Sequence, residues 1–496
     1  MHCQNMNSSP SKRRVLSRDE AIAIGRKLLD MVGAPYIGVG ITHTTRALTK
    51  VANGNVLRMI DTDDVWVRFQ SQFGTGLGLT IDTNQLDEAL FSRIVKRAKD
   101  MAPPYAAFDA PDDPDGAGHF IWNPRPLMPV NLWHDSSADA MDTARGTVVP
   151  ELIERLRASK LVGAATVGQM ARSVLHIYPL GLTSFGEETD CEVTVTARWP
   201  DYKGAGWNGQ AHRDWSKINT SAVADRAIEI TKRSHNPVAL EPGRRTAILS
   251  PEAVAEMMYC MAGLFSAERT NVAGPGTPFT YVTHTGAGKH VRLGERVVDA
   301  RIMMRSDPAD PDGGFLPFFE EGGREAGLPG FPTQAVTWIN HGVLEELSRG
   351  ITDGVSRRLP ISENPYSIRV APVPGTKTAT IDEMIANCKE GVYVNRLSGL
   401  LLLDPPSAMM TGNTRDGCFL IKDGKIAKPI TNFRFTDSPI FAMNKLEMIG
   451  EAVRVSFGNV APLEHSTIRR GWPRLPVIAP PMMVQDFNFS GTANAV

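Results

Sequence analysis

Residues 246–268, TAILSPEAVAEMMYCMAGLFSAE, constrain the fold more than any other stretch of the chain. Residues 246–249 read as a short strand. Ser250 follows as a helix N-cap and Pro251 takes the first helical position, where a missing N–H costs nothing. Val254, Met258, Met261 and Phe265 then recur at helical spacing and predict a buried face. The rest of the sequence is mostly short strands punctuated by turns, and its 44 glycines and 35 prolines suit a loop-rich α+β protein rather than a helical bundle.

With 496 residues the chain is long enough for two or three domains with substantial cores. A formal net charge of -1 offers no bulk attraction to nucleic acid or an anionic membrane. Cys3, Cys191, Cys260, Cys388 and Cys418 are odd in number, scattered and without a CxxC pair, which points to a reducing compartment. The basic N-terminus has no apolar run behind it, so no secretory signal is read there, and no stretch approaches transmembrane length. The expectation is a soluble, cytoplasmic protein.

The chain divides into a disordered start (1–16), an N-terminal α/β domain (17–241), a strand-rich mixed β domain (242–474) and an irregular proline-rich tail (475–496). Ser17 and Glu20 form a capping box. Ile24, Leu28, Met31 and Val32 predict the buried stripe of a first helix, ended by Ala34-Pro35. Strand-like runs follow at 36–42, 46–51 and 56–59, with Asn53-Gly54 as a tight turn. Val65, Val67 and Phe69 alternate with Trp66 and Arg68, as in a half-buried strand. After the glycine run Gly74, Gly76 and Gly78, Asn84 caps a second helix with Leu90, Ile94, Ala98 and Met101 on one face. Residues 103–145 read as a long connection. A helix from near Pro150 (Leu152, Ile153 and Leu156 inward), strands at 161–178 and 191–198, a loop at 201–214 and a helix over 220–233 (Val223, Ala227 and Ile230 inward) complete the domain. Pro242-Gly243 marks the boundary.

In the C-terminal half, residues 307–330 form an acidic, glycine-rich loop. Residues 335–347 predict a hairpin turning at His341-Gly342. A short helix over 381–389 is stopped by Gly391, and strands follow at 392–397 and 399–403. Asp423-Gly424 gives a type I′ turn to the hairpin 417–430. A last short helix covers 444–453.

Four motifs stand in a fixed order here: Asp307-Pro308 with Pro317-Phe318 and Glu321-Gly322; Ile-Asn-x-Gly-Val-Leu at 339–344; a helix followed by Gly391-Val392-Tyr393-Val394; and the Asp423-Gly424 hairpin with a helix ending near Ile449-Gly450. Together they resemble the TldD/PmbA family, zinc-metallopeptidase-related proteins often found as pairs of unlike subunits. The N-terminal helix–strands–helix order matches that family as a pattern. In the family's catalytic subunits the helix corresponding to 251–265 carries His-Glu-three residues-His. Here that helix has no histidine, so the chain resembles the PmbA (TldE) type of subunit. Two features depart from the family. The segment 411–417, TGNTRDG, places Arg415 and Asp416 where small residues are usual, and the connection 103–145 is long.

A peptidase zinc needs converging His, carboxylate or thiolate ligands, an open position for water and a base for its proton. The eleven histidines are dispersed. The closest pair, His284 and His290, lies in a glycine-rich loop and reads as solvated or substrate-facing. Cys260 reads as a small buried hydrophobe, and Cys388 and Cys418 as core or edge residues. The run 74–78 lacks dinucleotide spacing. TGAGKH has Thr283 where a P-loop needs glycine and no Ser/Thr after Lys289. GLTSFG (181–186) is one residue too long for a nucleophile elbow. The acidic loop 307–325 reads as solvated rather than as a Ca²⁺ or Mg²⁺ site. No catalytic, cofactor-binding or metal residue is therefore assigned in this chain. The resemblance places zinc in a TldD-like partner and implies a non-catalytic subunit of a heteromeric peptidase that processes unfolded peptides. The alternative is a stand-alone peptide-binding or modulator protein that reuses the scaffold, for example as a homodimer. In either case the C-terminal half is expected to face the partner, with Phe419 turned either toward that partner or into the core.

Overall fold

A computed structural model describes residues 15–33, 37–71, 80–84, 88–101, 126–179, 181–267, 276–282, 289–320, 329–349, 367–456 and 477–493. Helix α1 (Arg18–Val32) begins at the Ser17–Glu20 capping box. It stops at Gly33, whose left-handed φ of 54° caps it ahead of Ala34-Pro35. Its buried side is Ala21, Gly25, Leu28 and Val32, whereas Ile24 faces solvent. The small residues let the helix lie close on the sheet: a Cβ at Gly25 would come within 2.8 Å of Leu175.

Strands β1 (Ile37–Ala52) and β2 (Asn55–Ser71) form one long antiparallel hairpin around Asn53-Gly54, both with positive φ. The expected breaks in these strands do not occur. Thr44, Thr45 and Thr49 are buried within β1, so polarity there marks a covered face and not a loop. Strand β3 (Thr80–Thr83) and helix α2 (Glu88–Met101) follow, with Phe91 and Val95 as the buried positions of α2 and Leu90 and Ile94 only half-buried. The expected 103–145 connection contains two short helices, α3 (Asp135–Ala138) and α4 (Ala140–Ala144), before α5 (Val148–Ala158). Strands β4 (Val162–Ile177), β5 (Thr183–Arg198) and β6 (Ala205–His212) and helix α6 (Thr220–Arg233) complete the half. Strand β6 replaces the expected loop at 201–214. Its glycines serve close packing: a Cβ at Gly206 would lie 2.6 Å from backbone atoms of Ala227 and Thr231 on α6. The six strands pair antiparallel in the order β3-β2-β1-β4-β5-β6, so helix and strand combine here in the α+β manner.

The second half begins with β7 (Gly243–Leu249) and helix α7 (Pro251–Met261), continued by a 3₁₀ turn at Ala262–Phe265. Next come β8 (Thr280–Val282), β9 (Lys289–Val291), β10 (Ile302–Ser306), β11 (Val336–Asn340), β12 (Val343–Leu344) and β13 (Ile368–Pro372). They are followed by α8 (Ile381–Asn387), β14 (Glu390–Asp404), β15 (Met409–Lys422), β16 (Lys425–Pro429) and β17 (Phe433–Asp437). The last elements are α9 (Pro439–Asn444), β18 (Leu446–Ile449), β19 (Val453–Arg454), β20 (Val477–Ala479) and β21 (Met482–Thr492). The turns at His341-Gly342 and Asp423-Gly424 are both present with positive φ.

Four expectations are corrected. Gly391 lies inside β14 and does not cap a helix; α8 ends at Asn387. The two strands expected at 392–403 are one. Helix α9 ends at Asn444, and β18 lies within the range expected to be helical. The tail is not irregular: β21 lies between β7 and β17 in the sheet. That sheet closes on itself, since β14 pairs with β7 and β15, β7 with β21, β21 with β17, and β17 with β15. Closure removes free edges, and Phe433, Phe435, Phe487 and Phe489 stack within the core beside it. Helix α7 is buried almost all round between this sheet and the β12-β11-β10-β13-β20-β19 sheet. Polar contacts join the halves: Asn395 Nδ2 donates to Trp207 O at 3.0 Å, and Arg454 lies 3.1 Å from Asp190.

Candidate functional site

Glu252, Glu256 and Cys260 follow one another along one side of α7 at the i, i+4, i+8 spacing. Glu256 is buried, 5% exposed. Burial pushes its carboxyl up to about 7, against the pull of the Arg396 charge. Glu252 is also raised by burial, although Ser250, Arg396 and Arg226 act the other way. Charged groups are rarely placed like this unless another charge answers them.

Arg396 on β14 is that charge. Its guanidinium lies 4.4 Å over the Trp207 ring and 3.4 Å from Asp416, and both Arg396 and Asp416 are buried. A bulge creates the arrangement: Val394 pairs with Cys418, but Arg396 pairs with Arg415. Asp416 takes a left-handed φ of 52° there. Asn395 closes the bulge by donating to Asp416 O at 2.9 Å. Ser250 Oγ donates to Asn395 O at 2.5 Å and accepts from Ala253 N at 3.1 Å, so one hydroxyl both caps α7 and ties it to the bulge. The Tyr393 hydroxyl donates to Asn395 Oδ1 at 3.3 Å, and burial pushes it up to about 12 despite nearby Arg226. The segment 411–417 is therefore part of a strand, and it brings Asp416 to the N-terminal end of α7.

These residues do not fit a catalytic zinc. Glu256 is sealed among apolar groups beside Arg396. The Cys260 thiol is raised by burial and by Glu256, which keeps it protonated and so a poor ligand. Among the described residues no group of three or more His, Cys, Asp or Glu converges as a metal set would. What the arrangement does is hold a carboxyl close to neutrality in an enclosed, rigid setting.

His284 and the run 74–78 lie outside the described residues. His290 falls in β9 opposite Tyr281. Cys260 is half-buried against the core, and Cys388 and Cys418 are buried. Burial pushes the Cys418 thiol to about 12. Ser184, in the segment 181–186, donates to Gly330 O at 2.5 Å, a packing role. In the acidic loop, Arg369 grips Asp310 at 2.6 and 2.7 Å, Arg305 holds Asp307 at 3.0 Å, and Arg172 holds Glu320. These carboxylates are answered by arginines within the protein. Sequence reasoning missed Glu256, Arg396, Asp416 and Trp207 as a group. The signals available were a glutamate set among the apolar residues of α7 and Asp416 standing where small residues are usual.

The family model described as PmbA/TldA metallopeptidase C-terminal domain matches residues 242–491. Among solved structures, a candidate modulator of DNA gyrase from Thermotoga maritima is similar, with 15% identity, a TM-score of 0.71 and coverage of 95% of this chain and 100% of that one. A second candidate gyrase modulator, from Bacteroides thetaiotaomicron, gives 14% identity, a TM-score of 0.70 and coverage of 95% and 99%. TldE from Thermococcus kodakarensis gives 16% identity, a TM-score of 0.69 and coverage of 95% and 99%. At these identities the likeness is one of fold. No curated protein sequence matches the chain.

Proposed function

The chain belongs to the PmbA/TldD metallopeptidase family, and from that premise we propose that it is a TldE/PmbA-like, non-catalytic subunit. It would work beside a TldD-like partner that carries the zinc and processes unfolded peptides. The observation that carries this reading is α7 itself. The helix is in place and built into the core, but it presents Glu252, Glu256 and Cys260 and no histidine. Glu256 is closed off beside Arg396, which leaves no open coordination position. Among the described residues no helix is long and apolar enough to cross a membrane.

The test is purification of the chain alone and together with a TldD-like subunit, with zinc analysis and cleavage of an unfolded peptide for each. The expected result is no stoichiometric zinc and no cleavage for the chain alone, and chelator-sensitive cleavage for the pair. About one tightly held zinc per isolated chain, or chelator-sensitive cleavage by that chain, overturns the reading. Peptide binding by the isolated chain, with no complex formed with such a subunit, would favour a stand-alone binding protein.

A further inference from the structure

The six-stranded sheet of the N-terminal half ends in β6 on one side and in β2 and β3 on the other. The β6 side lies against β15 and β19 of the C-terminal half. The β2 side is covered over only part of its length. Strand β3 pairs with it from Val67 to Gln70, and the chain then leaves for α2. From Arg58 to Trp66, β2 pairs with β1 alone among the described residues. A strand in that position turns a row of backbone N–H and C=O groups outward. At the usual rise the open stretch is roughly 30 Å long. It starts at a bulge: Val51 pairs with Val56 and Lys50 with Arg58, which leaves Leu57 without a counterpart.

Native edges are normally blunted by charges, above all lysine, by proline or by a covering element. Strand β16, an edge of the C-terminal half, carries Lys425, Lys428 and Pro429. Strand β2 has neither lysine nor proline, and its exposed side chains include Leu57 at 70% and Met59 at 55%. Its charges are Arg58, Asp61, Asp63 and Asp64, and the three acids work against a second copy. Antiparallel pairing of two copies about a two-fold axis at Asp61, Asp63 or Asp64 sets that aspartate opposite its own mate. An axis at Thr62 sets Asp61 opposite Asp63, and an axis at Ile60 sets Met59 opposite Asp61. Like charges directly opposite one another destabilise a strand pair, whereas a strand without these carboxylates meets no such penalty. Beside the edge a cleft of about 250 Å³ opens between Thr45, Asp61, Asp63 and Gln169. Arg145 and His43 already hold the two aspartates, so the cleft offers room for a side chain rather than a free charge.

We propose that the β2 edge from Arg58 to Trp66 holds an unfolded peptide as an added antiparallel strand, in line with β3. Only a chain free of structure can offer a full row of backbone partners, so main-chain bonds select unfolded peptides over folded ones. Met59 adds an apolar contact, and the cleft takes an alternate side chain. The identity of the occupant rests on the peptide-processing role proposed above; the site itself shares no residue with α7.

The experiment uses the full chain alone and a fluorescein-labelled peptide, Lys-Val-Thr-Val-Thr-Val-Lys, beside the same peptide N-methylated at every valine and threonine. Fluorescence anisotropy is expected to show saturable binding of the first and binding weaker by about tenfold or more for the second, which has lost its N–H donors. Hydrogen exchange with and without the first peptide should slow within residues 58–66. The double variant Leu57→Lys, Met59→Lys should weaken binding about tenfold with the circular dichroism unchanged. Four results overturn the proposal: no saturable binding up to about 1 mM peptide, equal binding of the methylated peptide, slowed exchange confined to other strands, or undiminished binding in the double variant. Should that variant fail to fold, the methylated peptide and the exchange pattern decide. Neither zinc nor a TldD-like subunit enters this test, so its failure leaves the subunit reading intact, while zinc held by the isolated chain would overturn that reading without touching the β2 edge.

Discussion

Arg172 of β4 and Glu320 of the C-terminal half meet with Nη2 2.7 Å from Oε1, and Arg172 also holds Glu188 through Nε at 2.6 Å. Arg213 completes the group by bonding Glu188 and Gly314 O. Burial alone would raise the Glu188 carboxyl, but the two arginines outweigh it and hold it below its ordinary range. The Arg172 charge is likewise kept, since Glu188 and Glu320 outweigh its desolvation. Removing one member of a buried ion group typically costs about 3–5 kcal/mol, because the partner charge is left unanswered. Arg172→Met is therefore expected to lower stability by about that amount at neutral pH, measured by urea denaturation. In the wild type the contribution of Glu188 is complete above its ordinary value of 4.5 and is lost as pH falls below it. The deficit of the variant should shrink on acidification, and a constant deficit would contradict this account.

His176 gives a second pH dependence. Burial, then Arg68 and Arg172, lower it from 6.5 to about 3. The unfolded chain takes up this proton first, so stability is complete above about pH 6.5 and is lost as pH falls toward 3. Each pH unit inside that window costs up to about 1.4 kcal/mol. His176→Gln, which cannot ionise, is expected to flatten the decline of the melting temperature between pH 6.5 and 4.5. A wild-type slope retained in the variant would show that His176 does not titrate this way.

Glu256 acts in the opposite direction. Its carboxyl is raised from 4.5 to about 7, so stability is complete below pH 4.5 and is lost as pH rises through 7. Glu256→Gln keeps the shape and removes the charge. It is expected to stabilise the chain by about 2–3 kcal/mol at pH 8 and by little at pH 5. Denaturant midpoints at the two values check it, and a loss of stability at pH 8 would show a carboxylate better answered than Arg396 alone provides.

The sequence shows the punctuation of this fold more clearly than its sheets. Asn53-Gly54, His341-Gly342, Asp423-Gly424, the Ser17–Glu20 box and Ser250-Pro251 act within a few residues, and each stands where local chemistry puts it. The strands that escaped notice are polar or glycine-rich for reasons set elsewhere in the chain. Thr44 and Thr45 are polar yet buried, Gly206 yields space to α6, and residues 411–417 carry Asp416 to Arg396. Strand β21 follows Pro480-Pro481, which signals a turn and says nothing of what comes next. The candidate site was hidden in the same way. Trp207, Glu256, Arg396 and Asp416 are far apart in sequence, and only the bulge at Asn395 brings them together.

Phe419 is 2% exposed and packs against Tyr393 with ring centroids 6.2 Å apart, so it faces the core. Phe419→Asp buries a charge and forfeits a large apolar contact; loss of the ring alone costs about 3–5 kcal/mol, and the domain is expected to unfold. Leu401 and Leu403 differ. They are 61% and 49% exposed at the end of β14, while Leu400 and Leu402 pack against the core. Large apolar side chains exposed together on a rigid strand are what a partner surface would cover. The double variant Leu401→Asp, Leu403→Asp is therefore expected to keep its circular dichroism and melting temperature while its complex with a TldD-like subunit weakens about tenfold or more, read by light scattering and titration calorimetry. A complex of undiminished affinity would show that the partner docks on another face of the C-terminal half.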